Sequence, residues 1–436
     1  MNALTPLPTA TETALARLEA WLETTRGPDG YGGPVAHWWQ QSLVYTGAGR
    51  DWRYEGIIAG YLQLWERTGA TRWLRQAVRA GDDLVAGQLA NGHFAASAFE
   101  LNPAAAGTPH EAAADVGLLL LARALRRAGR PDAETYLACA ERNLRGFYLE
   151  QLWDEAGKFF RDSPTVASFV PNKAATACDA LFLLAELTGD AARVDRYALP
   201  TLEQILALQV PGAGPLSGAI AQNRFGARRI EKYFPIYIAR CVPALLSGYR
   251  WTNAARYADG ALRALRFITR WQHSDGSFPT VVYPNRRVNR YPTWIAPLGD
   301  VLRAAEAARP LGFDADLSAT ESYLLAGQDD SGGIQTARGF AAQAGGHPST
   351  APDVRDVLHV VGWCDKAFRY LSGQVGSDLP PAESGAFETD CTLAGRSLRL
   401  EETPGLLRIR SGGRDVYRWR KGASWPEVAA PEFWLR

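Results

Sequence analysis

No run of apolar residues in this sequence approaches the ~18 needed to cross a bilayer. The longest, around Val116–Ala122, is far shorter. Charge of one sign is not in excess either: 47 basic residues face 46 acidic ones, a net charge of +1. Such a balance supplies no broad basic surface, so neither nucleic acid nor a membrane is an expected partner. The segment Met1–Thr13 lacks the basic region and apolar core of a signal peptide, and a cytoplasmic location is expected. Cysteine is sparse, odd in number and never in a CxxC pair: Cys139, Cys178, Cys241, Cys364 and Cys391. Buried free thiols are expected rather than disulfides or a zinc site, and no metal or cofactor is called for. Lysine is rare, with five residues against 42 arginines, and there is one methionine. What remains is an ordinary globular composition, 47% apolar and 21% charged, over 436 residues. Length alone suggests two or three domains.

A repeat organises the chain. Its unit is Gln, a few residues, Gly, then an aromatic or aliphatic residue. It occurs as Gln88-Leu-Ala-Asn-Gly92-His-Phe94, Gln272-His-Ser-Asp-Gly276-Ser-Phe278 and Gln328-Asp-Asp-Ser-Gly332-Gly-Ile334. Weaker copies are Gln151 with Gly157 and Phe159, and Gln209 with Gly212 or Gly214. The first copy has Arg26 in place of Gln, before Gly27-Pro-Asp-Gly30-Tyr31. Successive leads are separated by 62, 63, 58, 63 and 56 residues, so six units reach about residue 373.

Each unit reads as two helices around a Gly-rich turn. The helix before the turn is amphipathic: Leu15, Leu18, Trp21 and Leu22 share one face, as do Ala261, Leu265 and Ile268. The helix after it is apolar on most sides, as in the segments 116–122, 180–185 and 233–239. A helix apolar all round is surrounded by protein. Six half-exposed and six buried helices describe two concentric rings, an all-α (α/α)6 barrel over residues 1–373. Residues 374–436 read differently. Short alternating stretches at 397–400, 406–410 and 416–419, with Ser411-Gly-Gly-Arg414 as a turn, predict a small β appendage.

The Gln-x-x-Asp-Gly-x-Phe turns resemble those of the prenyltransferase and squalene-cyclase toroids. They equally resemble the turns of six-hairpin glycosidases, such as unsaturated glucuronyl hydrolases and N-acylglucosamine epimerases. The resemblance implies a toroid over residues 1–373. The isoprenoid branch requires DxDD or DDxxD, and neither is present. The nearest pairs, Asp82-Asp83 and Asp329-Asp330, fall in an outer helix and a repeat turn.

In a closed toroid the segments entering the inner helices ring one mouth, where a site is expected. These are Arg50-Asp-Trp-Arg-Tyr-Glu55, preceded by His37-Trp-Trp-Gln-Gln41; Thr108-Pro-His-Glu111; Pro171-Asn-Lys173; Arg228-Arg-Ile-Glu-Lys-Tyr233; Arg286-Arg-Val-Asn-Arg-Tyr291; and Asp353-Val-Arg-Asp356, with His359 following. They carry ten Lys or Arg against six Asp or Glu. Helix N-termini add partial positive charge there. The expected substrate is therefore a small acidic sugar or oligosaccharide, with aromatic rings stacking on C–H faces. Candidate proton-transfer residues are Asp51, Glu55, His110, Glu111, Tyr233 and Tyr291. Candidate binding residues are Trp38, Trp39, Arg53, Asn172, Lys173, Arg229, Lys232, Asn289, Arg290, Asp356 and His359.

Blander roles compete at several of these positions. Thr108 to Glu111 fits a capping box, Asp353 and Asp356 fit a helix cap, and Asp115 and Asp179 fit buried partners of arginine. Paired carboxylates slightly favour glycoside hydrolysis over uronate lyase or epimerase chemistry. An isoprenoid-type toroid without its acidic motifs and a non-catalytic glycan-binding toroid are the alternatives.

Overall fold

The structure, a computed structural model, describes residues 9–36, 44–97, 106–342 and 351–429. Twelve α-helices of eight or more residues follow one another among them. The odd-numbered ones are α1 (Ala10–Thr24), α3 (Thr71–Ala86), α5 (Ala133–Asn143), α7 (Leu199–Ala207), α9 (Ala255–Arg270) and α11 (Ser318–Leu325). The even-numbered ones are α2 (Arg53–Thr68), α4 (Glu111–Arg127), α6 (Pro171–Thr188), α8 (Pro235–Thr252), α10 (Leu298–Ala308) and α12 (Val361–Ser372). Each even helix packs on the next even helix, and α12 packs on α2, so the inner ring closes. Odd helices lie outside it. This is the (α/α)6 toroid that the repeat predicted. Among the described residues no helix is long and apolar enough to cross a membrane.

Burial separates the rings as the sequence pattern requires. In α2 every residue from Arg53 to Leu62 is buried. In α3 burial is confined to one stripe, Trp73, Leu74, Ala77, Ala80, Gly81, Asp83 and Leu84. The α1 residues Leu15, Leu18, Trp21 and Leu22 are at most 1% exposed. All five cysteines are buried and free. Links from an inner helix to the next outer helix are mostly short, such as Thr68 to Thr71. Links from outer to inner are long and carry small antiparallel ribbons.

The repeat glutamines have a specific task. Gln88 donates from Nε2 to Gly92 O in its own turn (3.0 Å) and to Cys139 O in the next outer helix, α5 (2.8 Å). Gln328 does the same to Gly332 O and to Ala14 O of α1 (both 2.8 Å), closing the outer ring. Gln272 reaches Thr320 Oγ1 of α11 (2.7 Å). Gln209 reaches Gly218 O (3.1 Å) and Gly260 O of α9 (2.9 Å). The turn glycine of that copy is thus Gly218, not Gly212 or Gly214. Arg26 replaces the amide with an ion pair to Asp83 of α3 (2.5 Å). Gln151 departs from the pattern and donates to Gly146 O on the surface.

The tail forms one antiparallel meander: β1 (Phe387–Leu393), β2 (Arg396–Thr403), β3 (Leu406–Ser411), β4 (Arg414–Arg420) and β5 (Glu427–Val428). Its inward side chains, including Leu400, Ile409 and Trp419, join the hydrophobic core of the toroid. A buried charged clamp adds to this contact. His359 lies between Asp329 Oδ2 (2.6 Å) and Glu402 Oε2 (2.7 Å). Glu402 also accepts from Trp21 Nε1 and pairs with Lys421, each at 2.7 Å. Burial pushes the His359 imidazole down, but Asp329 and Glu402 outweigh it and raise its pKa to about 10. Burial pushes Glu402 up, and Lys421 and His359 outweigh it, so its carboxyl titrates well below 4.5.

Two outcomes are expected. A Cβ on Gly276 (φ +86°) would sit 2.1 Å from Ala319 O of α11, whereas one on Gly212 (φ +74°) meets nothing within 4 Å. Gly276→Ala should cost about 3 kcal/mol or more and Gly212→Ala about 1 kcal/mol in urea unfolding. Equal losses would refute the tight approach at Gly276. The clamp also has a pH window. The His359 contribution is complete below its ordinary 6.5 and fades as pH rises towards about 10. The Glu402 contribution is complete above 4.5 and fades on acidification. The stability gap between the wild type and His359→Gln should therefore be widest between these limits and shrink in alkali. A gap unchanged from about pH 5.5 to about pH 9.5 would contradict the charged clamp.

Candidate functional site at the inner-helix mouth

The heads of the inner helices converge on a cavity of about 330 Å³. Its wall includes Trp52 before α2, His110 at the start of α4, Asn172, Lys173 and Thr176 of α6, and Tyr237 and Arg240 of α8. Asp300 of α10 and Trp363 and Lys366 of α12 complete the ring, and Asp162, Gln222 and Asn223 come from connecting segments. Trp52 and Trp363 pack with ring centroids 4.5 Å apart. The Lys366 ammonium lies 5.2 Å from the Trp52 ring centroid and donates to Trp52 O (2.8 Å).

Beneath this wall the inner helices enclose charge. Glu55 of α2 pairs with Arg240 (2.5 Å) and with Arg369 of α12. Arg240 also reaches Asp300 (3.3 Å) and Thr176 Oγ1 (3.2 Å). Asp300 also faces Arg303 (3.4 Å), and Lys366 pairs with Asp365 (2.5 Å). Burial raises the Glu55 carboxyl, but Arg240 and Arg369 outweigh it and hold it well below its ordinary value. Asp300 is likewise held low by Arg240 and Arg303 against its burial. Asp179, one layer deeper on α6, is pushed up to about 6 by burial. Every cation on the cavity wall has a carboxylate partner: Lys173 with Asp162 (2.9 Å), Arg240 with Glu55 and Asp300, and Lys366 with Asp365.

The candidates from the sequence scatter around this geometry. His110, Asn172 and Lys173 line the cavity, and Glu55 lies one contact beneath it through Arg240. Asp51 does not line it. Its fully buried carboxylate is gripped by Arg53 Nε (2.9 Å) and Nη2 (3.1 Å), so both residues brace the entrance to α2. Glu111 is also fully buried. It accepts from Gly107 N (2.8 Å), Ser97 Oγ (2.5 Å) and Asn143 Nδ2 (2.6 Å), and pairs with His93 (3.0 Å). That carboxylate knits the α3–α4 link together instead of facing a ligand. Tyr233 packs edge-on to Phe267 of α9, and its hydroxyl points to Glu231 (3.4 Å).

Arg229 and Lys232 sit on and just after the ribbon strand Arg228–Ile230, with Arg229 facing Glu231 (3.7 Å). Asn289 belongs to another ribbon and donates to Tyr283 Oη (3.3 Å). Tyr291, Arg290 and Asp356 line a different groove, of about 810 Å³, against Phe387 and Thr389 of β1. Asp356 there completes a capping box with Asp353, the helix-cap role expected of both. His359 is the clamp already described. Trp38 and Trp39 lie outside the described residues. The basic surplus of the helix heads is thus divided among several places, because several heads are ribbons that turn away from the axis.

Thr176, Arg240 and Lys366 were missed because they lie more than a turn inside their helices, and Asp300 and Trp363 because the first turns of α10 and α12 fall beyond the charged segments Arg286–Tyr291 and Asp353–Asp356. Their signal is present nonetheless. Arg240 interrupts Ile-Tyr-Ile-Ala, and Asp365, Lys366 and Arg369 interrupt α12. A charge inside a wholly buried helix must be paired, so such positions mark the barrel axis. Asp115 carries the same signal without that outcome: fully buried on α4, it is pushed up by burial and by Glu111, with no arginine beside it among the described residues. Among the described residues no cluster of metal ligands occurs.

Removing one member of the floor should expose its importance. Glu55→Gln leaves Arg240 and Arg369 buried with less compensation, and should lower stability by ~3–5 kcal/mol in urea unfolding. Asp162→Asn, at the partly open rim, should cost under about 1 kcal/mol. Comparable losses would mean that the axis network does not hold the inner ring.

No family model matches the chain, and a search of curated proteins finds no match. Solved structures do. An unsaturated glucuronyl hydrolase from Bacillus sp. GL1 superposes with a TM-score of 0.59 at 15% identity, over 83% of this chain and 95% of that one. A D-mannose isomerase gives 0.58 at 12% identity, over 85% and 99%. The cellobiose 2-epimerase of Bacillus thermoamylovorans gives 0.56 at 12% identity, over 83% and 99%. At these identities the likeness is one of fold: the chain has the six-hairpin (α/α)6 architecture of these proteins.

Proposed function

We propose that this chain is an enzyme acting on a small carbohydrate bound at the inner-helix mouth. One observation carries the reading: a single cavity joins the Trp52–Trp363 pair and Tyr237 to His110 and to a fringe of amides and charged groups. Sugars present C–H faces that stack on aromatic rings, and hydroxyls that the amides of Asn172, Gln222 and Asn223 suit. The similarly folded glucuronyl hydrolase, mannose isomerase and cellobiose epimerase, each named for a sugar, point the same way. A cavity lined with charged side chains is a poor container for a hydrocarbon, which counts against an isoprenoid substrate.

Within this reading His110 moves the proton, and Asp300 stays ionised as its counterpart. The carboxylates on the wall, Asp162 and Asp300, both carry cationic partners, so neither resembles the protonated acid of a two-carboxylate glycosidase. This favours epimerase-, isomerase- or lyase-type proton transfer at a sugar carbon. Hydrolysis is the second reading, supported by the fact that both carboxylates face one cavity. A uronate is the preferred substrate, because inner-helix N-termini point at the cavity and Lys173, paired with the half-buried Asp162, stands at its rim. The carboxylate of the sugar competes for Lys173 at the rim.

The test is turnover of a panel: saturated and unsaturated uronate disaccharides, and neutral reducing sugars, followed by chromatography and by absorbance of the conjugated 4,5-ene. The expected result is conversion of at least one, with His110→Ala lowering kcat about 100-fold or more while the protein stays folded. Unchanged kcat in His110→Ala would reject His110 as the proton carrier. Binding without turnover across the panel would make the toroid a sugar-binding protein.

A further inference from the structure

The link between α5 and α6 and the link between α7 and α8 share a three-stranded ribbon beside the cavity. Its strands are Ser168–Phe169, Asn223–Phe225 and Arg228–Ile230, with Asn223–Phe225 in the middle. Register decides which side chains share a face. Phe225 pairs with Ser168 on one side and with Arg228 on the other, and Asn223 pairs with Ile230. Residues two apart on a strand, and residues directly opposite, lie on the same face. Asn223, Phe225 and Arg228 are therefore on one face, and Asn223 lines the cavity. Arg224 is on the other face, with its guanidinium against Phe159 and Phe169.

The face that begins at the cavity thus continues outward into Phe225, whose side chain is exposed, and Arg228, also exposed. Phe225 is 45% exposed, in a protein whose other phenylalanines are mostly in the core. Val166, just before the Ser168 that pairs with Phe225, is equally exposed and widens the apolar rim. An exposed ring beside a guanidinium, leading out of a sugar-sized cavity, matches the surface of a sugar: an apolar C–H face with a polar edge.

We propose that this ribbon is a second sugar subsite, with Phe225 stacking on the ring next to the one held in the cavity and Arg228 bonding its polar edge. The inference rests on the carbohydrate reading above and sharpens it. The substrate class becomes a chain of at least two sugar residues, with one end in the cavity and the next ring on the ribbon.

Calorimetric titration with glucose, cellobiose, glucuronate and a glucuronate-terminated disaccharide tests it. The wild type should bind at least one disaccharide roughly five- to tenfold tighter than its monosaccharide. Phe225→Ala should abolish that length advantage, and Phe225→Tyr should keep it. The side chain is exposed, so thermal unfolding should be the same in all three proteins. Equal affinity of the wild type for both lengths would overturn the subsite and leave the cavity reading standing. So would a Phe225→Ala loss that is the same for mono- and disaccharide. A wild type that binds none of the four sugars would remove both.

Discussion

The carboxylate of Glu55, gripped by Arg240 and Arg369, is the contact on which this architecture turns. It ties α2 to α8 across the inner ring and to α12 at the seam where the ring closes. Buried charges are costly unless matched, and here Glu55, Arg240, Asp300 and Arg369 are matched between inner helices, with Asp365–Lys366 paired within α12. The matching fixes how the helices rotate about their own axes. It thereby decides which side chains of α6, α8, α10 and α12 reach the cavity wall. The same guanidinium that neutralises Glu55 contacts Asp300 and Thr176 and forms part of that wall. Stability and site share atoms.

The outer ring is held by a different and more repetitive device. A glutamine amide spans from its own turn to the backbone of the next outer helix, four times in the same manner or nearly so, with Arg26–Asp83 as the ionic substitute. Because these bonds go mainly to backbone, they constrain spacing without constraining sequence elsewhere. The tail adds a third fastening. His359 and Glu402 carry opposite charges in a dry setting, with Asp329 and Lys421 completing the balance.

Periodicity made the toroid legible, since repeated Gln-Gly turns and alternating half-buried and fully buried helices have few other solutions. Three strands of the tail were legible from alternation, whereas Phe387–Leu393, with few apolar residues and with Glu388 and Asp390 in its first half, was not. The site was legible only in part. Residues adjacent to the helix starts, His110, Asn172 and Lys173, were found because the toroid places helix heads at one mouth. Asp51 and Glu111 looked like paired acids but hold Arg53 and the α3–α4 link in place, and a sequence does not distinguish a carboxylate aimed at a ligand from one that braces a loop. Arg229, Asn289 and Tyr291 were misplaced because their segments fold into ribbons, which shifts the helix start past them. Arg240 and Lys366 lie inside helices and not at their heads, where a charge in an apolar segment is the clue.

A crystal structure of the protein soaked with a glucuronate-terminated disaccharide addresses the central claim most directly. One sugar ring is expected in the cavity, against Trp52 or Trp363 and within hydrogen-bond reach of His110. A sugar seated instead in the groove between Tyr291 and Phe387, with the inner-helix mouth empty, would contradict it.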